Sequence, residues 1–408
     1  MTSRSTSATG RATAGDEEMG RGLRDGASRP DHVRQVVGRL RRLAEQRGLE
    51  GIVLSGPAAV AWATGGMNTA IDRALPVDMV WVALSEGAQL LVTTEVEYPR
   101  IVADCDPAAS GFSVLAVPWY DPEAFVATCV ARLGAVPANV GSDGHPAFGV
   151  DLSDDLVISR MALTDFGQEG LRWLGRDTTH ALEAALKSWR PGVTDREVQA
   201  EMVRQLELTG AEAVVALVAG DERVGDLRHP LALGLPAYER MMAVIVSRRG
   251  GLNVAATRFV ADKPASAELA ERFRAVRQIE AAVLRACSPG ATYGEATLRL
   301  VEAYAEVGHP EAWREHWQGG PIGYGTREFE LAPGFEQSAF WSLEVSPGHA
   351  LAWNPSLSGG AKVEDTFLVT TEGLECVTSP IDWPIEHVEG FSEPRPAVLV
   401  RAGEGARK

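Results

Sequence analysis

Pro191-Gly192-Val193-Thr194-Asp195-Arg196-Glu197 opens the stretch that decides the fold, because its pattern returns as Pro289-Gly290-Ala291-Thr292 followed by Glu295. Each threonine stands where a helix N-cap belongs, with a glutamate three residues later, which is the capping-box pattern. Apolar residues then recur at helical spacing until a glycine, Gly210 or Gly308, and the offset between the two copies is 98 residues throughout. The repeat predicts a domain made of two related helix-plus-strand halves.

Smaller elements precede this duplicated domain. Apolar residues recur at helical spacing from Asp31 to Gln46, and short β-branched runs bounded by Gly, Pro or Asp follow. We therefore predict an α/β domain over residues 30–165 and the duplicated domain over residues 170–390, between a disordered tail at 1–29 and a C-terminal tail at 391–408. The predicted core strands of the duplicated domain are Met241–Ser247, Val254–Val260, Ala350–Trp353 and Thr366–Thr370.

The amino-acid composition limits the classes of molecule that the protein can bind. A net charge of -16 disfavours nucleic acid and anionic membranes, although a local group of arginines can still bind a small anion. The longest apolar runs are too short for a membrane helix, and residues 1–29 lack the apolar core of a signal peptide. The four cysteines form no CxxC pair, which favours reduced thiols and a cytoplasmic protein.

A glycine-rich loop lies between the second repeat and the last strands. Residues 316–328 read HWQGGPIGYGTRE, and a segment so rich in glycine predicts a tight loop that brings backbone close to another group. Near the end of the domain comes Val363-Glu364-Asp365-Thr366, at the entry to an apolar strand. Because adjacent strand residues point to opposite faces, only one of Glu364 and Asp365 can face a pocket.

The sequence resembles the pita-bread family, which includes aminopeptidase P, prolidase, methionine aminopeptidase and creatinase. The resemblance rests on the two capped helices, Thr257-Arg258, the glycine-rich loop and the closing Glu364 segment, which follow the order of that family along the chain. The resemblance covers most of residues 31–380. It implies an α+β fold in which a pita-bread catalytic domain follows a smaller, creatinase-like N-terminal α/β domain. It also implies a homodimer whose N-terminal domain reaches the partner's active site.

The positions that hold two metal ions in the peptidases of this family differ here. Read across the resemblance, the two aspartates fall on Val244 or Ser247 and on Ala255, the loop histidine on Gly320, and the two glutamates on Asn354 and Glu364. One carboxylate cannot hold two hard cations, which each prefer about six ligands. We therefore expect no metal ligands and no cofactor, and a dinuclear aminopeptidase becomes the least favoured function.

The residues that remain are closer to creatinase, which hydrolyses a C–N bond without metal. His229 aligns with its essential histidine, Glu364 with its closing carboxylate, and Arg73 with the arginine that holds the substrate carboxylate across the dimer interface. Thr257 stands where creatinase has a glutamate, so the same substrate is not implied. Glu364 could instead form a salt bridge with Lys362 or Arg258.

We predict His229, Glu364 and Glu328 as catalytic residues, with His229 moving the proton and the carboxylates orienting it. The predicted substrate-binding residues are Arg73, Arg258, Arg327, His316 and Tyr324, with the arginines as a carboxylate clamp.

The predicted function is metal-independent hydrolysis of a C–N bond, in an amide, amidine or guanidine, of a small carboxylate-bearing molecule. Two alternatives remain open. One is a lyase or isomerase of specialised metabolism on the same scaffold, and the other is a catalytically dead homologue that serves as a binding protein.

Overall fold

The structure is a computed structural model that describes residues 28–121 and 123–401. The predicted disordered tail therefore lies almost wholly outside the described residues. Helix α1 begins at Arg29, with Ser28 as its N-cap: the side-chain oxygen of Ser28 accepts a hydrogen bond from the amide of Asp31. In the described ranges, no helix combines the length and apolar character needed to cross a bilayer.

The N-terminal domain is a six-stranded sheet with helices packed against it, in the strand order β4-β3-β2-β1-β5-β6. Strands β1, β2 and β3 pair antiparallel, and the other pairs are parallel. The apolar strands β1 and β2 are buried along their whole length, which explains their β-branched composition. The elements are α1 (Arg29–Arg47), β1 (Gly51–Leu54), α2 (Pro57–Thr64), β2 (Val80–Leu84), β3 (Gln89–Thr94), α3 (Tyr98–Cys105), β4 (Ser113–Val117), α4 (Ala124–Leu133), β5 (Val140–Ser142), β6 (Val150–Asp151) and α5 (Ser153–Met161).

The second domain contains two four-stranded sheets, β18-β9-β8-β7 and β10-β11-β14-β15. Its elements are α6 (Asp165–Ser188), α7 (Asp195–Glu207), β7 (Glu212–Gly220), α8 (Glu222–Asp226), β8 (Arg240–Arg249), β9 (Leu252–Ala261), α9 (Ala267–Ala286), α10 (Tyr293–Glu306), β10 (Gly319–Ile322), β11 (Ala350–Trp353), β12 (Ser356–Leu357), β13 (Ala361–Lys362), β14 (Phe367–Thr370), β15 (Gly373–Cys376), β16 (Ile385–Glu386), β17 (Arg395–Pro396) and β18 (Leu399–Val400). The four predicted core strands are present as β8, β9, β11 and β14.

The predicted repeat is visible in three dimensions. Thr194 and Thr292 both make complete capping boxes, with Glu197 and Glu295 respectively. Each threonine also forms an isolated β-bridge, Thr194 to Pro236 and Thr292 to Glu344. The capped helix therefore begins in the same way in both halves, α7 in the first and α10 in the second. The duplicated α+β architecture is confirmed.

The two sheets are joined at the segment that follows β13. The amide of Thr257 in β9 donates to the carbonyl of Glu364 at 2.9 Å. The amide of Ala255 donates to Oγ1 of Thr366 at 2.8 Å, and that hydroxyl donates back to the Ala255 carbonyl. This junction fixes the side chain of Glu364 against the middle of β9.

The segment after residue 390 is not a tail, contrary to prediction, because it completes the core up to residue 401. Strand β18 pairs in parallel with β9, and Arg395 in β17 is fully buried. The Arg395 guanidinium donates to both oxygens of Glu280, at 2.6 and 2.7 Å, and to Asp365 at 2.8 Å. Asp365 also accepts from Arg258 at 2.9 Å, so these four side chains form one buried ion network.

Candidate active site at the β12–β13 hairpin

The β12–β13 hairpin brings several ionisable side chains together. In its antiparallel register Ser356 lies directly opposite Lys362, so both side chains project from the same face. His316 and Arg228 approach Ser356 from two other segments, the loop before β10 and the loop after α8. Ser356, Lys362, His316 and Arg228, together with His229, Arg327 and Glu364, are called the basic cluster below.

His316 is a neutral, half-buried imidazole. Its Nδ1 lies 2.6 Å from the Trp317 carbonyl, which can only accept, so Nδ1 carries the proton. Its Nε2 lies 2.7 Å from Oγ of Ser356 and therefore accepts from that hydroxyl. Burial, together with the charge of Lys362, lowers the pKa of His316 to about 3.

His229 lies at the open side of the cluster. Its ring stacks on Trp317, with 6.2 Å between centroids and 27° between planes, and its side chain is exposed. Partial desolvation, followed by the charges of Lys362 and Arg228, lowers the pKa of His229 below its usual 6.5. The ring is thus neutral at neutral pH and in contact with solvent, as a proton carrier must be.

Lys362 is the least compensated charge in the cluster. The residue is 7% exposed, and within the described ranges no acidic oxygen lies within 4 Å of its amine. Burial lowers its pKa, Glu364 raises it, and Arg327 and Arg228 lower it further. Buried lysines are normally paired, so this ammonium lacks the partner that its position calls for.

The remaining cluster members border Lys362. Glu364 is 2% exposed, and its Oε2 accepts from the hydroxyl of Thr257 at 3.0 Å. The alternative predicted for Glu364, a salt bridge with Lys362 or Arg258, does not form within 4 Å in the described chain. Arg327 donates to the carbonyl of Ala352 at 2.8 Å; burial raises the pKa of the neighbouring Glu330, and the charge of Arg327 offsets part of that rise.

Two predicted site residues serve the fold instead. Arg258 was predicted to bind substrate, and the structure places its fully buried guanidinium against Asp365 and the carbonyl of Thr378. Glu328 was predicted to be catalytic, and it instead forms a buried ion pair with Arg160 at 2.6 Å. Its other oxygen accepts from the amide of Gly325 at 2.9 Å, so Glu328 shapes the glycine-rich loop.

Arg73 and Tyr324 lie at a different place, the wall of a cavity of about 920 Å³ between the two domains. Arg73 pairs with Glu212 at 2.9 Å, and Tyr324 is 4% exposed beside His32. Within one chain neither residue joins the basic cluster, and the substrate-binding role predicted for Tyr324 stays a prediction. The predicted role of Arg73 across a dimer interface stays a prediction.

The positions that hold two divalent cations in the peptidases of this family carry mostly different side chains here. The residues there are Val244, Ser247, Ala255, Gly320, Asn354 and Glu364. In the described part of the chain, no group of three or more His, Cys, Asp or Glu side chains could hold a metal ion. Lys362 adds a positive charge beside the single carboxylate. A pair of hard cations does not fit this donor set.

Sequence reasoning missed Ser356, Lys362 and Arg228. A usable signal was present in Ser356-Leu357-Ser358-Gly359-Gly360-Ala361-Lys362, where two glycines between short runs indicate a hairpin. The hairpin register would have placed Ser356 opposite Lys362. A second missed feature is the buried Oδ1 of Asn354, which has no hydrogen-bond partner in the described structure.

A small α/β domain, followed by a duplicated domain whose polar cluster lies where its halves meet, defines a protein of the pita-bread class. Residues 169–371 match metallopeptidase family M24. The duplicated domain therefore belongs to the pita-bread family, through its match to the M24 metallopeptidases. No curated protein matches its sequence.

Solved structures share the fold at low sequence identity. The Xaa-Pro dipeptidase from Bacillus anthracis has a TM-score of 0.69 at 20% identity, over 90% of this chain and 100% of that one. Dipeptidase PepE from Mycobacterium ulcerans has a TM-score of 0.71 at 18% identity, over 92% of this chain and 100% of that one. The N-terminal domain of FACT complex subunit SPT16 from Cicer arietinum (chickpea) has a TM-score of 0.62 at 12% identity, over 86% of this chain and 97% of that one.

Proposed function

We propose that this protein hydrolyses a C–N bond, in an amide, amidine or guanidine, of a small carboxylate-bearing molecule without a metal ion. The observation that carries the proposal is the largely buried side chain of Lys362, whose amine lacks an acidic partner within 4 Å in the described chain and lies beside Glu364. Such a charge is costly unless a ligand compensates it. A substrate carboxylate is a ligand of the right sign.

The charges around Lys362 favour an anion. Arg228 and Arg327 both lower the pKa of Lys362, whereas Glu364 is the one group that raises it. Arg228 is partly neutralised by Glu315, and one guanidinium nitrogen of Arg327 donates to the carbonyl of Ala352. The cluster therefore keeps a local excess of positive charge inside a protein whose net charge is -16. An anionic substrate would remove that excess, so the carboxylate clamp is assigned to Lys362 and Arg327.

Two side chains of the site, His229 and Asn354, have properties that hydrolysis of a C–N bond requires. The neutral ring of His229 can accept a proton from water, and its exposed position lets it return that proton to solvent. The unpartnered Oδ1 of Asn354 can accept a hydrogen bond from a substrate N–H. Glu364, fixed by Thr257, would hold the cationic nitrogen of an amidine or guanidine. The protein would act as a cytoplasmic homodimer, with Arg73 reaching the partner's site.

The test is metal content measured together with turnover. Purified protein is analysed by inductively coupled plasma mass spectrometry and assayed with small N-acyl amino acids, guanidino acids and Xaa-Pro dipeptides, before and after dialysis against a chelator. We expect less than about 0.1 metal ion per chain and turnover of a carboxylate-bearing substrate that the chelator leaves unchanged. Near-stoichiometric manganese, cobalt or zinc with chelator-sensitive dipeptide cleavage would overturn the proposal.

A second candidate function is a binding role without catalysis. It is favoured by the shared fold with the SPT16 domain, a part of a complex subunit. The same measurements separate the two functions. Protein that binds little metal, turns over no member of the panel and yet binds small carboxylates in isothermal titration would support the binding role.

A further inference from the structure

Ser356 has the surroundings of an activated nucleophile. Its hydroxyl donates to the neutral Nε2 of His316 at 2.7 Å, and His316 is oriented by the Trp317 carbonyl at 2.6 Å. This is the chain of contacts by which a serine, a base and an orienting group act together. The third group here is a backbone carbonyl instead of an aspartate.

Positive charge surrounds the oxygen of Ser356. Nη1 of Arg228 donates to Oγ at 3.1 Å, and Lys362 projects beside it from the facing strand position. Both groups favour an alkoxide over the neutral hydroxyl, because an adjacent cation stabilises the charged form of an acid. The nearby Ser358 also accepts from Arg228, at 3.0 Å, but its hydroxyl donates to Glu315 and contacts no imidazole among the described residues.

We propose that Ser356 is the catalytic nucleophile, that His316 is its base, and that the enzyme works through a covalent ester, or through the corresponding imidate or isourea when the substrate is an amidine or a guanidine. The proposal rests on the proposed C–N bond hydrolysis for its substrate, but the reactivity of Ser356 can be measured without that substrate. The compounds it would react with are carbonyl, amidine or phosphoryl electrophiles that carry an anionic group for Lys362 and Arg327.

The reaction has two stages, formation and hydrolysis of the covalent intermediate. Oγ of Ser356 forms a bond with the electrophilic carbon while its proton passes to Nε2 of His316. The C–N bond breaks, and the leaving nitrogen takes the electron pair and the proton from His316. Water then attacks the ester and gives a proton to His229, which releases it to solvent. The C–Oγ bond breaks, and the alkoxide, stabilised by Arg228 and Lys362, takes a proton from solvent.

Substrate binding would strengthen the base. The pKa of His316 is about 3 in the free protein because of burial and the charges of Lys362 and Arg228. A bound carboxylate offsets those two charges, so it raises the proton affinity of His316 at the moment when Ser356 must be deprotonated. Without an anion the serine stays protonated, which limits reaction of the free enzyme with other electrophiles.

The experiment is covalent labelling of the full chain with a fluorophosphonate that carries a carboxylate, followed by intact-mass measurement and peptide mapping. We expect one label per chain on Ser356, no label in Ser356→Ala, and labelling at least about 100-fold slower in His316→Ala. The matched control Ser358→Ala should label at the wild-type rate. Circular dichroism and thermal melting of each variant establish that it is folded.

A second variant, Ser356→Cys, tests the same site in case the alanine variants do not fold. In Ser356→Cys the four native cysteines remain buried, so iodoacetamide reports on position 356. The same cations should lower the pKa of this thiol, measured from the pH dependence of alkylation, by at least one unit from about 8.5. Absence of label on Ser356 together with an unshifted thiol pKa overturns the proposal.

The outcomes also separate this proposal from the proposed function. Turnover that persists within about threefold in Ser356→Ala, with no label in the wild type, would leave metal-free hydrolysis in place and reject the nucleophile. Specific labelling of Ser356 without turnover of any amide, amidine or guanidine would support the nucleophile and reject the substrate class.

Discussion

Replacing Lys362 with methionine should make the protein more stable and less active. The substitution keeps an unbranched side chain of similar length and removes a buried charge that has no acidic oxygen within 4 Å in the described chain. Replacing a whole buried ion pair by apolar groups of similar volume is neutral or stabilising by about 1–4 kcal/mol, and Lys362→Met resembles that case because it removes a desolvated charge without breaking an ion pair within 4 Å. Because Glu364 offsets part of the cost, we expect a gain of about 1–2 kcal/mol at pH 7.

The gain should depend on pH with a definite sign. Burial lowers the pKa of Lys362 in the folded protein from 10.5, so at high pH the unfolded chain binds the proton more tightly than the folded one. Stability of the wild type therefore rises as pH increases through the folded pKa toward the unfolded value. The difference in unfolding free energy between Lys362→Met and wild type should be largest at neutral pH and should shrink by pH 10.

The loss of function follows from the same charge. A carboxylate about 4 Å from an ammonium gains up to about 4 kcal/mol at a protein-like effective dielectric constant, so kcat/KM should fall by about 10²–10³. The assays are urea unfolding at pH 7 and pH 10 and turnover of the carboxylate substrate found in the panel. The exposed Lys263→Met is the control, with stability within about 0.5 kcal/mol of wild type and unchanged activity. A Lys362→Met protein destabilised by more than about 1 kcal/mol at pH 7 would refute the reasoning.

Three further outcomes are expected. His229→Ala should lower kcat/KM by about 10²–10⁴ with an unchanged circular dichroism spectrum, while the exposed His387→Ala should remain within about twofold; equal activities would reject the proton-carrier role. Because His229 must be neutral and its pKa is lowered, kcat/KM should fall on acidification with a midpoint below 6.5, and a midpoint above 7 would contradict this. Arg395→Met should cost about 3–5 kcal/mol in urea unfolding by leaving Glu280 without its paired cation and Asp365 with Arg258 alone, and a cost under about 1 kcal/mol would show that Glu280 is not held as a charge.

The fold could be predicted because its determinants are local in sequence. The capping boxes at Thr194 and Thr292 lie within four residues each, and their repetition fixed the two halves without any long-range contact. The opposite orientations expected for Glu364 and Asp365 also hold. Glu364 meets Thr257, and Asp365 meets the buried arginines on the other side.

The site was harder to predict because its partners are distant in sequence. Arg258 was predicted as a substrate ligand because a guanidinium can hold a carboxylate, and the carboxylate that it meets in the structure is Asp365, 107 residues away in sequence. Glu328 is neutralised by Arg160 across 168 residues. Conversely, Lys362 resembled an ordinary partner for Glu364, and only the three-dimensional packing separates it from an acidic oxygen.

The ion network around Arg395 has a consequence for how the chain acquires its structure during synthesis. Glu280 precedes Arg395 by 115 residues and Asp365 precedes it by 30, so both carboxylates leave the ribosome before their shared cation. Until Arg395 arrives, Asp365 has Arg258 as a partner but Glu280 lacks the guanidinium that holds both its oxygens, so burying Glu280 in charged form is costly. Both halves of the repeat can therefore form early, but the buried ion network that adjoins the Glu364 segment is completed only once β17 has been made.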